Sequence, residues 1–153
     1  MKLLYYADFD RYEQYEVPIT GARYRKLDHG PVPDDAMIAI EELEKAGRIA
    51  RKDVVGDGYL QHRYEPNEPV NLELFSPTEV EVLNQVARRW DPHTTKQIEA
   101  ATHGEAPGIA VGRNEVIPYH LAHYRNNFGA MSLDGDDPAN SNEVLDEDEV
   151  FSR

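Results

Sequence analysis

Ser76-Pro77-Thr78-Glu79 is the stretch that leaves this chain the least conformational freedom. A serine followed three residues later by a glutamate forms a capping box. The Ser76 hydroxyl accepts from the N–H of Glu79, and the Glu79 carboxylate accepts from the N–H of Ser76. Pro77 occupies the first helical position, where a missing N–H costs nothing. The stretch therefore predicts a helix opening at residue 77, with Val80, Leu83, Ala87 and Trp90 as its apolar stripe and an end near Arg89 or Trp90. Thr94 and Gln97 repeat the same logic for a helix that carries Ile98 and Ala101 and stops at Gly104.

The first half of the chain is punctuated by glycine and proline. Residues 2–15, KLLYYADFDRYEQY, read as a helix with Leu3, Tyr6, Ala7 and either Phe9 or Asp10 near one side. No N-cap precedes it, so either the helix starts at Met1 or an upstream segment is missing. Val17-Pro18 ends it, because the residue before proline is pushed out of the α region. Residues 19–27 alternate loosely, as a short strand or extended arm would, and Asp28-His29-Gly30-Pro31 is turn chemistry. Pro33-Asp34-Asp35 opens a helix through about Ala46, with Met37, Ile40 and Leu43 at three-residue spacing and Gly47 as the residue beyond its end. Next, RIARKDVV and YLQHRYE flank Gly56-Asp57-Gly58 as a hairpin. A helix followed directly by a hairpin is the order of a winged helix. Residues 66–75 form a proline-containing connector. Pro118 starts a last helix, with Leu121 and Tyr124 inward and Gly129 beyond it. The expectation is one α+β domain, mainly α-helical, over residues 1–130, with a small antiparallel β-hairpin in winged-helix-like order. Residues 131–153, rich in Gly, Pro, Asn, Ser and acid, are expected to be a disordered tail.

Composition narrows the chemistry. None of the 153 residues is cysteine, which removes disulfides, thiolate metal sites and a cysteine nucleophile, and fits a reducing compartment. No apolar run reaches the length of a membrane span, and MKLLYYADFD lacks the apolar core and cleavage site of a signal peptide, so a cytoplasmic location is expected. The net charge is -13, and residues 131–153 hold eight acidic side chains against Arg153 alone. That balance repels nucleic-acid phosphates. Arg48, Arg51, Lys52 and Arg63 in the hairpin oppose it, which keeps a winged-helix DNA-binding regulator as the alternative reading.

The catalytic patterns are missing. His120 and His123, three apart on a helix, could face one metal ion, but nothing fixes a third ligand among His29, His62, His93, His103 or the carboxylates. A metal-dependent hydrolase is therefore a minor hypothesis, and no metal or cofactor is expected. Of the four serines, Ser76 is a cap and Ser132, Ser141 and Ser152 lie in or beside the tail. No GxSxG, HExxH or glycine-rich phosphate loop occurs, so the chain is not expected to be an enzyme. Partner binding is the better expectation. Four of the nine tyrosines lie in the first helix, and Tyr5, Tyr12 and Tyr15 fall on roughly one side of it. Tyrosine joins a large apolar body to a polar tip, which suits interfaces. Arg23, Tyr24, Arg25 and Lys26 form a second candidate contact, a basic arm with an aromatic inside it. Such an arm could grip single-stranded nucleic acid, or it could be an exposed strand face beside acidic helices.

KLLYYADF, then PITGARYRKLDHGPVPDD, then a helix ending in AGRI resembles the Panacea domain, also called the SocA-like antitoxin domain, many of whose members are phage-associated. The elements that carry the likeness are Lys2 to Tyr5, Ile19 to Gly21 with Tyr24, Gly30-Pro31, the helix opened by Ser76, and Thr102 to Gly108. The resemblance spans about residues 2–125. It departs from the family pattern in two places. A further helix usually precedes KLLY, and tryptophan often follows the proline where this chain has Gly108. What the resemblance implies is a non-catalytic antitoxin of a type II toxin–antitoxin pair, neutralising a toxin encoded nearby by direct protein contact. Under that reading residues 19–35 are a structural connector, with Gly21 and Gly30 allowing tight backbone, Pro31 and Pro33 fixing the next helix, and Tyr24 packing the arm down.

Overall fold

The computed structural model describes residues 1–56 and 59–125. The expected acidic tail and Gly129 lie outside these residues.

The N-terminal helix is the axis of the fold. It is α1, Lys2–Tyr15, and Tyr5, Tyr6, Ala7, Asp8, Phe9 and Asp10 are all buried. Six consecutive buried residues mean that α1 is enclosed on several sides; Tyr6, Ala7, Phe9 and Asp10, read near one side with Leu3, are all among them. Leu3 itself is largely exposed. The helix ends as Val17-Pro18 requires, with Glu16 in the left-handed region at φ 59°.

The arm forms strand β1, Tyr24–Leu27, and the supposed turn continues into a strand, β2, Gly30–Pro33. The two are antiparallel, with Tyr24 opposite Pro33 and Lys26 opposite Pro31. Prolines discouraged a strand reading here, yet an edge strand tolerates proline where no donor is needed. On its other side β1 takes residues 114–117. The N–H of Lys26 donates to Glu115 O (3.1 Å) and that of Ile117 to Tyr24 O (2.8 Å). Gly30 has φ 102°, and a Cβ there would meet Thr102 Oγ1 at 2.8 Å, so only glycine lets β2 approach the helix beyond.

Helix α2, Ala36–Lys45, ends with Gly47 at φ 69°, as read from the sequence. It has no buried residue, and Met37 and Leu43 of the three-residue series are exposed. The hairpin follows as β3, Ile49–Gly56, and β4, Tyr59–Pro66, in a two-stranded sheet of its own. A 3-10 turn at Leu72–Leu74 leads to α3, Pro77–Trp90, then α4, Thr95–Gly104, and the short α5, Ala106–Ala110. Both capping boxes are formed. Ser76 N–H donates to Glu79 Oε2 (2.7 Å) and Thr94 N–H to Gln97 Oε1 (2.8 Å). The buried stripe of α3 is Val82, Val86 and Trp90. It shares Trp90 with the expected stripe and is otherwise rotated from Val80, Leu83 and Ala87. The last helix is a 3-10 segment, Tyr119–Tyr124, which buries Ala122 and leaves Tyr124 exposed rather than inward.

The core is aromatic and lies where α1 meets α3 and residues 119–124. Tyr5 and Phe9 lie 4.3 Å apart by ring centroids, Tyr6 and Trp90 4.5 Å, and Phe9 and Tyr119 5.0 Å. Each such pair is worth about 0.5–1.5 kcal/mol beyond the area it buries. The chain is thus mixed α/β with helix predominant. Helix then hairpin do follow one another, but α2 has no buried face and does not form the helical core of a winged helix.

Candidate partner-binding surface

The seven residues singled out from the sequence part into two groups. Tyr5 and Tyr24 are each 0% exposed, which overturns their placement on an open face. The hydroxyl of Tyr5 donates to Glu105 Oε2 (2.9 Å) and that of Tyr24 to Asp8 Oδ2 (2.7 Å). These are core residues with satisfied polar tips, and the packing role read for Tyr24 is the one the fold uses. Tyr12 is half-buried and stacks on Tyr119 at 5.4 Å. Tyr15 is 42% exposed and carries the Arg11 guanidinium 3.8 Å over its ring.

The basic arm is a brace. Arg23 Nε donates to Asp34 Oδ2 (2.5 Å), Arg25 Nε to Asp34 Oδ1 (2.9 Å), and Lys26 Nζ to the carbonyl of Val111 (2.9 Å). The Arg23 hydrogen bond leads in holding the Asp34 carboxyl below its ordinary range. Arg23 keeps most of its side chain in solvent, whereas Arg25 and Lys26 are half-buried.

Sequence reasoning missed the buried carboxylates that organise the core. Asp8 is fully buried and accepts from the N–H and hydroxyl of Thr20 and from the hydroxyl of Tyr24. Its partners are 12 and 16 residues away, so no local pattern announces them. Asp10 meets Arg89 (2.8 Å) and Arg125 (2.7 Å), and Arg125 also reaches Glu13 (2.6 Å). Burial works against the charged guanidinium of Arg125, but Asp10 and Glu105 outweigh it and hold its pKa above the ordinary value. Burial pushes the Glu105 carboxyl above its ordinary value, against the attraction of Arg125. Burial, then the neighbouring Asp8, raises the Tyr24 hydroxyl far out of the physiological range.

The histidines are dispersed. His123 Nε2 lies 3.0 Å from Glu16, while His120 is exposed. His29 contacts Glu99 at 3.0 Å, and Lys2 holds the other oxygen of that carboxylate at 3.3 Å. Among the described residues no group of three or more His, Asp or Glu is arranged to hold a metal ion. Among the hairpin cations, Lys52 pairs with Glu65, and Arg51 lies 3.2 Å from Asp53, which His62 also contacts at 2.7 Å.

What the structure adds is an uncovered apolar surface on the excursion between β2 and α3. Met37 is 52% exposed, Ile38 57% and Val55 78%, and Leu60, Val70, Leu72 and Leu74 are also exposed. Met37, Ile40 and Leu43 were legible in the sequence as an apolar series at three-residue spacing. That α2 buries none of its residues was not. A second apolar feature, a groove of about 250 Å³, runs between α1 and α3 and is lined by Leu3, Leu4, Ala7, Leu83, Val86 and Ala87. No helix among the described residues is long and apolar enough to cross a membrane.

Comparison with known families gives one match: residues 1–107, more than half of the chain, match the family described as antitoxin SocA-like, Panacea domain. No curated protein and no solved structure matches. The matched span ends one residue short of Gly108. A Cβ there would lie 2.2 Å from the carbonyl oxygen of Thr102, so this backbone has no room for the tryptophan the resemblance implies.

Proposed function

The chain belongs to the SocA-like antitoxin family through its Panacea domain, and on that premise we propose that it is the antitoxin of a type II toxin–antitoxin pair. It acts in the cytoplasm, without catalysis, by binding a toxin protein encoded nearby. The observation that supports this reading is α2, an amphipathic helix with no buried residue whose Met37 and Ile38 stay in water. Apolar side chains three or four residues apart on a helix, as Met37, Ile40 and Leu43 are, are the anchors of helix-in-groove recognition, so the toxin would supply the groove. Charge agrees. At a net charge of -13 the chain suits a basic toxin, and complementarity of this kind speeds encounter more than it deepens affinity. Of the contacts expected from the sequence, Tyr15 and Arg23 retain enough exposure to join an interface.

The test is a toxicity rescue with the neighbouring open reading frame. That frame alone should arrest growth, co-expression should relieve the arrest, and the two proteins should co-purify. Met37→Asp with Ile38→Asp should abolish both rescue and co-purification without lowering Tm, since neither side chain is in the core. Retained rescue by that variant would move the interface off α2. Tyr15→Ala with Arg23→Ala asks the same of the other end. Absence of both toxicity and complex would refute the antitoxin reading, and a salt-sensitive promoter gel shift would then be evidence for the regulator.

A further inference from the structure

The β3–β4 hairpin is unusual in standing alone. Its strands span eight residues each, and its sheet has no third strand. An isolated two-stranded ribbon is marginal in water, and its open edges are templates for further pairing. The register shows which backbone groups are free. Arg51 stands opposite Tyr64 and Lys52 opposite Arg63, and the N–H of Asn67 donates to Arg48 O (2.9 Å) just past the strand ends. In an antiparallel ladder alternate residues face the partner strand. The even-numbered residues of β3 therefore bond β4, and the N–H and C=O groups of Ile49, Arg51, Asp53 and Val55 point away from it. Among the described residues, no backbone hydrogen bond outside the hairpin involves these four.

From this edge we infer that β3 pairs with β3 of a second copy of the chain, antiparallel about a two-fold axis at Lys52. The sequence of the edge is its own complement in that register. Arg51 falls opposite Asp53 of the second copy and Asp53 opposite Arg51, while Ile49 falls opposite Val55 and Val55 opposite Ile49. All eight outward residues find a fitting neighbour, in the isologous form that a two-fold dimer requires. Val55, 78% exposed, is covered by an aliphatic partner. On the opposite face Lys52 meets its own symmetry mate, and each is held by its own Glu65. The β4 edge is poorer: it would place His62 against itself or bring in Pro66, which has no N–H. The hairpin also escapes the acidity that would keep two copies apart elsewhere, since Arg48, Arg51, Lys52 and Arg63 outnumber Asp53 and Glu65 among its described residues.

The experiment is sedimentation equilibrium on the full chain alone, so its outcome is independent of any toxin. The wild type should show twice the mass of one chain in a concentration-dependent manner. Arg51→Asp alone and Asp53→Arg alone each place like charges opposite one another twice per dimer, and each should weaken association roughly tenfold. Arg51→Asp combined with Asp53→Arg restores both pairs in swapped order and should recover the wild-type dissociation constant to within about threefold. A wild type that stays monomeric up to about 100 μM, corresponding to a Kd weaker than roughly -5.5 kcal/mol, overturns the inference. So does a dimer indifferent to the single swaps, or one that the double swap fails to restore.

Discussion

At the scale of single residues the decisive feature is the burial of carboxylates beneath aromatic rings. A carboxylate in an apolar core is tolerated only when donors surround it, and Asp8 has such donors in Thr20 and Tyr24. Glu105 is less well supplied. It accepts from Tyr5, and the nearby Tyr6 hydroxyl is buried without a partner. Its carboxyl pKa is raised in the folded state above the ordinary value of 4.5, chiefly by burial. A raised carboxyl favours the folded state while protonated. Its contribution is therefore full below the unfolded pKa and is lost as pH rises through the folded pKa. An ionised Glu105 bears the cost of a buried charge that an amide would not. Glu105→Gln should accordingly be at least as stable as wild type at pH 7 in urea titration, with the difference shrinking toward pH 4. A variant that is less stable at pH 7 would show that the attraction of Arg125 outweighs burial.

At the scale of elements α3 and α4 start at capping boxes, whereas α1 has no side-chain cap. Ser76 satisfies the Glu79 N–H and the Glu79 carboxylate satisfies that of Ser76, so Ser76→Ala leaves an unmet donor at the start of α3. The expected loss is about 1 kcal/mol, read as a lower urea midpoint at unchanged slope. These caps were legible in the sequence because every partner lies within three residues. The hairpin and the Gly47 stop were legible for the same reason. Strand β2 was not, because its prolines mark a turn until β1 is known to be its only neighbour and its outer edge to be free. The burial of Tyr5 and Tyr24 was also hidden. A tyrosine pattern looks alike at an interface and in a core, and Glu105, which satisfies Tyr5, lies 100 residues along the chain. For α2 the spacing of Met37, Ile40 and Leu43 was legible and their exposure was not, since periodicity reveals a face but never what lies against it.

At the scale of the whole molecule the chain divides its labour. An aromatic core built on α1, α3 and residues 119–124 holds the fold, and α2 with the hairpin offers apolar surface to water. An acidic protein meeting a basic partner should associate in a salt-dependent way. In stopped-flow mixing with the toxin, raising ionic strength from about 0.05 to about 0.5 M should slow association roughly tenfold or more and leave dissociation nearly unchanged. Equal association rates across that range would remove charge from the recognition.

The exposed excursion has one more consequence, for what stability means in this protein. The core carries its own folding free energy, but α2 and the hairpin bury little within the chain and so open at small cost. Whatever binds them, toxin or a second copy, adds its binding free energy to that unit alone, in proportion to the logarithm of its concentration. The order of this region is thus a property of the mixture it is dissolved in, and two samples of the same chain at different dilutions are different substrates for a protease.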